Sequence, residues 1–186
     1  AHAPRIIGVE PAYSGVDDAV IYLRQGLHSK VLWTGSKTTD DLIMAKRIAD
    51  FEDQYQADAV FIDFGYGTGL KSIGDGWGRT WQLVPFGGAS ADPQMLNKRG
   101  EMFNACKTWL KLGGALDDQE TADDLSAAEY KVRVDGKIVM EPKEDIKERL
   151  GRSPGKGDAL LLTFAYPVAK RSDFPVAGGK QPNVII

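Results

Sequence analysis

The sequence predicts an α/β domain, a mixed sheet with helices on both faces. Three observations lead there. Short apolar runs at 5–9, 18–25 and 30–34 follow one another through brief connections, as antiparallel neighbours do. A stretch with helical apolar spacing then separates them from a continuous apolar run at 57–63, the pattern of a crossover into a buried parallel strand. Beyond it a strand-like "TWQLVPF" is followed by further helical segments, so strands and helices alternate along the chain.

Taken in order, "RIIGV" is a short apolar strand ending beside Glu10, and the chain then turns on Pro, Ser and Gly before "DAVIYLRQ". "QGLHS" is a short hairpin-like connection to "KVLWT". In "TTDDLIMAKRIADFEDQYQ", Thr39 or Asp40 caps a helix whose apolar face carries Leu42, Ile43, Ile48, Phe51 and Tyr55. "ADAVFID" ends on Asp63, and the glycine-rich "FGYGTGLKSIGDGWG" reads as a loop. That loop is either a plain tight connection or one shaped for close approach of a DNA backbone. Asp92 and Pro93 open a helix that places Met95, Met102, Phe103, Cys106, Trp109 and Leu110 on one side and stops at Gly113-Gly114. "YKVRVDGKIVMEP" is a hairpin whose Asp135-Gly136 pair suits a turn of the primed type. "KEDIKERLG" is a short charged helix, and an apolar helix begins near Gly157.

The chain has 186 residues, 42% of them hydrophobic, which suits one domain over 1–186 with a core at about 5–168 and a Gly/Pro-rich tail at about 169–186. A net charge of −3 excludes a generally basic nucleic-acid coat but leaves room for a local basic surface. The single cysteine, Cys106, excludes an internal disulfide, and two histidines with one cysteine argue against a His/Cys zinc site. No apolar run reaches the length of about 18 residues that a membrane-spanning helix needs. The tryptophans are mostly core candidates; Trp77 in "GDGWGRT" is expected to pack under the loop, with exposure and stacking on a base as the alternative.

Three acids stand where secondary structure starts or stops: Glu10, Asp63 and Asp158. If the first and fourth strands pair in parallel, Glu10 and Asp63 lie side by side at their C-terminal ends, where ligands of α/β sheets bind. A helix carrying Asp158 would complete the set. Three carboxylates without histidine or thiol suit a hard cation with oxygen ligands, Mg²⁺ or Mn²⁺. Two such ions activate water and stabilise the leaving oxygen in phosphodiester hydrolysis. Taken alone, each acid has a plainer reading: a solvated strand end for Glu10 and Asp63, a helix cap for Asp158, turn residues for Asp17 and Asp18.

In order over about 6–168, these motifs resemble the nuclease domain of the large terminase subunit of tailed bacteriophages. The resemblance lies in "IGVEPAYSGVDDAVIYLRQG", "AVFIDFGYGTG", "VPFGGASADPQMLNKRGEMF" and "GKIVMEPKEDIKERLGRSPGKGDALLLTFAYPV". It implies a ribonuclease-H-like fold, shared with resolvases and integrases: a mixed five-stranded sheet flanked by helices, with an added β-hairpin. It implies a metal-dependent endonuclease that cuts concatemeric viral DNA during packaging, with Glu10, Asp63 and Asp158 as catalytic metal ligands for two ions of Mg²⁺ or Mn²⁺. Its implied partners are double-stranded DNA, the terminase ATPase domain, the small terminase subunit and the portal protein, in the cytoplasm of the infected bacterium. Two departures stand out. Glu10 replaces the usual aspartate, and Gly155 stands where the family carries another acid after Ser-Pro, leaving Asp17 or Asp18 as possible support. No Gly-x4-Gly-Lys-Ser/Thr motif occurs, so the ATPase motor is not in this sequence.

The basic residues form two groups. Lys98 and Arg99 sit beside the Gly87-Gly88 loop, where they either hold phosphates or form a solvated basic face. Lys131, Arg133 and Lys137 alternate with Val132 and Val134 on the hairpin, and Lys143 and Lys147 follow, making a ridge suited to backbone phosphates. Two rival functions share these features: a resolvase-like nuclease for branched DNA, and a domain that binds DNA or the portal without cutting.

Overall fold

The computed structural model describes residues 3–12, 17–36 and 40–171. A five-stranded sheet has the order β3-β2-β1-β4-β5, built from β1 (Arg5–Glu10), β2 (Asp18–Gln25), β3 (His28–Ser36), β4 (Ala59–Asp63) and β5 (Gln82–Val84). The pairs β1–β2 and β2–β3 are antiparallel, and β1–β4 and β4–β5 are parallel. The predicted mixed sheet is therefore present, and β1 and β4 point their C-terminal ends the same way.

Side-chain alternation splits the sheet into two cores. Ile7, Val9, Ile21, Val60 and Ile62 face α1 (Asp41–Tyr55) and α2 (Phe64–Gly76), together with Ala45, Ile48 and Leu70. Ile6, Val20, Tyr22, Phe61 and Val84 face the other side. They pack against α3 (Lys98–Lys111), α6 (Gly155–Leu162) and the segment after it. The remaining elements are α4 (Gln119–Ala127), the two-stranded β6 (Tyr130–Val132) and β7 (Ile138–Met140), and α5 (Lys143–Leu150). Among the described residues, no helix is long and apolar enough to cross a membrane.

Several local expectations change. The glycine-rich stretch after Asp63 is helical, not a loop. Its glycines serve contact instead: a Cβ on Gly74 would stand 2.5 Å from the Trp81 ring, and one on Gly67 2.6 Å from Ile62. Asp40 caps α1 by accepting from the Leu42 N–H, and Thr39 lies outside the described residues. Leu42 and Ile43 are exposed, because the buried face of α1 runs through Met44, Ala45, Ile48 and Ala49. α3 begins at Lys98 under an Asn97 cap, and 92–97 is a turn stabilised by the Asp92 side chain. The hairpin turn is not of the primed type: Gly136 has φ +81° while Asp135 stays at negative φ. Gly136 N–H donates to Arg133 O and Arg133 N–H to Lys137 O, the arrangement of a type I turn followed by a glycine bulge. α4 has no counterpart in the sequence reading. Of the tail expected at 169–186, residues 172–186 lie outside the described residues.

Candidate active site

Glu10 is the last residue of β1 and Asp63 the last of β4. Both fall on the strand positions that face α6 rather than α1 and α2, as Gly8 and Phe61 do. Parallel pairing of Val9 with Ile62 sets the two acids next to one another. Asp63 is also the N-cap of α2, its Oδ2 accepting from the Gly65 N–H at 3.2 Å. One short side chain thus ends a strand, starts a helix and faces the sheet end.

The third acid arrives on α6. That helix lies across β1 at Gly8, where an added Cβ would stand 2.0 Å from the Ala159 carbonyl oxygen. Only glycine lets the helix approach this closely. The contact brings Asp158, 1% exposed, over the end of β1 beside Glu10, 6% exposed. Asp158 is in the first turn of α6 and is not its N-cap, a position held by Pro154. The helix start is fixed from behind by α4: buried Asp124 accepts from the Gly157 N–H at 2.9 Å and is paired with Arg152.

A lysine joins the acids. Lys143 Nζ is 2.5 Å from Glu10 Oε1 and 2.7 Å from Asp158 Oδ2. Arg99 flanks the other side, 3.6 Å from Asp158 Oδ1, and donates to Glu141 O at 2.8 Å. Burial raises the Glu10 carboxyl to about 8; Lys143 opposes the shift, and Asp158 and Asp63 add to it. Asp63 is also raised, first by burial and then by Asp158, against the pull of Lys143. Burial pushes the Lys143 ammonium down, but Glu10 and Asp158 outweigh it and hold the lysine charged. Three crowded carboxyls and one ammonium form a single electrostatic unit.

The donor set fits a hard divalent cation. All three acids offer oxygen, and Glu10 Oε2 is buried with no hydrogen-bond partner in the protein, an expensive state that a cation relieves. Among the described residues, no three acidic, histidine or cysteine side chains close on one point as a metal cage. The positive charge between Glu10 and Asp158 is that of Lys143.

The other singled-out residues are placed as follows. Asp17 is 2.6 Å from Lys147, and Asp18 is exposed; neither is among the charges acting on Glu10. Lys98 is not on a phosphate-facing surface: it is 6% exposed, bound to Glu101 at 2.7 Å and to Ala165 O at 3.2 Å. Arg99 is 7% exposed and faces Asp158, so its charge serves the acid cluster. Lys131 and Arg133 are exposed and Lys137 half-exposed on the hairpin. Cys106 is buried, and burial pushes its thiol up to about 12, which keeps it protonated. Trp77 is exposed at the end of α2.

Sequence reading placed Lys143 among the DNA-contacting cations and did not see its tie to Glu10 and Asp158. One signal was available. Lys143 is the first residue of α5, and a helix N-terminus disfavours a cation, so its charge had to be matched by acids elsewhere. Asp124 and α4 carried no comparable mark.

No family model and no curated protein sequence matches the chain. Solved structures do. The nuclease domain of the large terminase subunit gp2 of bacterial virus Sf6 superposes with a TM-score of 0.70 at 19% identity, over 90% of each chain. The large terminase nuclease from thermophilic phage G20c gives 0.59 at 16% identity, over 88% of this chain and 82% of that one. Variant Sf6 domains have been solved with calcium and with manganese, and the G20c domain with cobalt and with magnesium. The five-stranded mixed sheet with its flanking helices and small hairpin is thus the ribonuclease-H-like fold that phage large-terminase nuclease domains adopt.

Proposed function

We propose that the chain is a divalent-metal-dependent DNA endonuclease, acting as the nuclease part of a phage genome-packaging motor. What supports this reading is the adjacency of Glu10 and Asp63 at the C-terminal ends of β1 and β4, the charge of Asp158 acting on both, and a buried oxygen of Glu10 left unpartnered. The shared fold and the metals bound by the Sf6 and G20c domains support it. Its substrate would be concatemeric viral DNA in the infected cell, and its partners the ATPase domain, small subunit and portal.

In this mechanism Glu10, Asp63 and Asp158 would hold the ions, two of Mg²⁺ or Mn²⁺. When bound, such ions supply Lewis acidity, acidifying water and neutralising charge on the departing oxygen. The protein's own part is to hold three carboxylates close against their repulsion. Lys143 does so here, bridging Glu10 and Asp158, and would have to yield both to a cation of higher charge. Its side chain is about one-third exposed (31%), which leaves its head room to withdraw. Arg99 keeps Asp158 oriented from the buried side. Lys131, Arg133 and Lys137 on the hairpin engage backbone phosphates, which gives little sequence preference.

The test is nicking of supercoiled plasmid with Mn²⁺, Mg²⁺ or EDTA, beside Asp63→Ala. Metal-dependent cutting that falls at least about 100-fold in Asp63→Ala supports the proposal, in line with the share of such catalysis one charged group carries. Binding of DNA without cutting at any Mn²⁺ concentration favours a non-cleaving domain. Preferential cutting of a four-way junction over linear duplex favours a resolvase-like enzyme.

A further inference from the structure

Away from the carboxylates, an apolar hollow of about 450 Å³ lies between α3, α4 and the β6–β7 hairpin. Met95, Phe103, Leu110, Tyr130 and Met140 line it. The only charged residues lining it are Lys107 and Lys111, and no acid does, in a chain whose net charge is −3. Lys107 and Lys111 are exposed, one turn apart on α3, and among the described residues neither makes an ion pair. Apart from Asn104, Ser126 and the Tyr130 hydroxyl the rest of the lining is apolar or glycine, so among the described residues its two cations are unmatched in a largely greasy cleft.

The hairpin adds a second feature. β7 is bonded on one edge to β6 and on the other to 94–96, through Leu96 N–H to Ile138 O and Ile138 N–H to Gln94 O. β6 pairs only with β7 among the described residues. Glu141 N–H donates to Glu129 O and Arg133 N–H to Lys137 O, so the alternation of an antiparallel ladder turns the backbone groups of Tyr130 and Val132 outward. The side chains of Tyr130 and Val132 are 59% and 65% exposed. An open strand edge bearing exposed apolar residues is one that proteins ordinarily cover or charge. Here the open edge runs beside the hollow.

We propose that β6 and the α3 hollow form a docking site for an extended acidic-apolar segment of another polypeptide. The segment adds as a strand to the Tyr130–Val132 edge. Its alternate side chains enter the hollow beside Leu110 and Met140, and its carboxylates meet Lys107 and Lys111. Strand addition supplies main-chain hydrogen bonds, and the pockets beside the edge supply the choice of side chain. Lys131 and Arg133 point to the opposite hairpin face from Tyr130 and Val132, so this site leaves the basic ridge open to DNA. The inference does not depend on the carboxylate cluster.

The experiment is titration of the ¹⁵N-labelled full chain with five-residue peptides, followed by amide shifts. The probes are Thr-X-Thr-Glu-Thr with X as Phe, Leu, Tyr or Trp, in which X and the acid share the face turned to the hollow, their lysine-for-acid counterparts, and a copy N-methylated on alternate amides. Expected are saturable shifts confined to 103–111 and 128–140 with at least one acidic probe. Affinity should fall at least tenfold on N-methylation, and also in Lys107→Glu/Lys111→Glu, which should then prefer the lysine peptides. Three results would each overturn the proposal: no saturable shift at millimolar peptide, equal binding of acidic and basic probes, or displacement of bound peptide by a short DNA duplex at Lys107 and Lys111. Both lysines are surface residues, and the spectrum of each variant reports directly whether the fold is kept.

Discussion

Glu10 and Lys143 set the chemistry at the scale of single residues. A carboxyl raised from 4.5 to about 8 is costly to ionise in the folded state. The folded protein takes up a proton at Glu10 relative to the unfolded chain between those values, so its stability falls as pH climbs through that window and levels off above it. Without metal, Glu10→Gln should therefore melt higher than wild type at pH 8.5, with the difference vanishing toward pH 5; thermal melts in EDTA across that range decide it. Mn²⁺ should narrow the gap by stabilising only the wild type, through binding to the native state alone. Lys143→Met removes the cation that joins Glu10 to Asp158. Breaking a buried pair costs about 3–5 kcal/mol, an upper bound for a lysine with some solvent access. The loss should appear as a lower melting temperature in EDTA and be recovered by Mn²⁺ more fully than in wild type. Absence of any metal rescue would count against a cation site here.

At the scale of elements, the sheet was largely readable and the packing onto it was not. Apolar runs ending on Glu10 and Asp63 give strands whose ends coincide, because hydrophobic period and strand length are local properties. Asp158 could be assigned to a helix start, but what seats that helix over β1 is a missing side chain at Gly8, and a missing side chain leaves no periodic mark. The glycines of α2 were misread for the same reason: a glycine admitted for close contact looks like one admitted for a turn. Lys98 looked like a phosphate ligand because nothing near it in sequence announces the approach of the Ala165 carbonyl. Gly8→Ala should lower the unfolding free energy by about 1–3 kcal/mol through overpacking and weaken Mn²⁺ binding while every acid remains; calorimetric titration with Mn²⁺ checks it. Asp124→Ala strips the Gly157 N–H and Arg152 of their buried partner, and should cost about 1–3 kcal/mol in denaturant unfolding.

At the scale of the whole molecule, function divides by surface. The sheet end carries the carboxylates, the hairpin carries Lys131, Arg133 and Lys137, and the chain as a whole is acidic. On the proposed function, DNA affinity in this arrangement would rest on a few local phosphate contacts. Raising salt should weaken binding along a log–log line of slope about −0.9 per contact. Replacing Lys131, Arg133 and Lys137 with glutamine should flatten that slope by up to about three such steps; anisotropy titrations of a labelled duplex with EDTA present read it directly. An unchanged slope would move the DNA path off the hairpin.

The seating of α6 on Gly8 also sets an order in which the acid cluster can form. Glu10 and Asp63 come before Lys143 and Asp158 in the chain. Until α6 docks, Ile6, Val20 and Phe61 lack its cover on that face, and the two earlier acids lack Asp158. A chain that stops short of α6 thus cannot assemble the acid cluster, so whatever chemistry the cluster performs waits until α6 has docked.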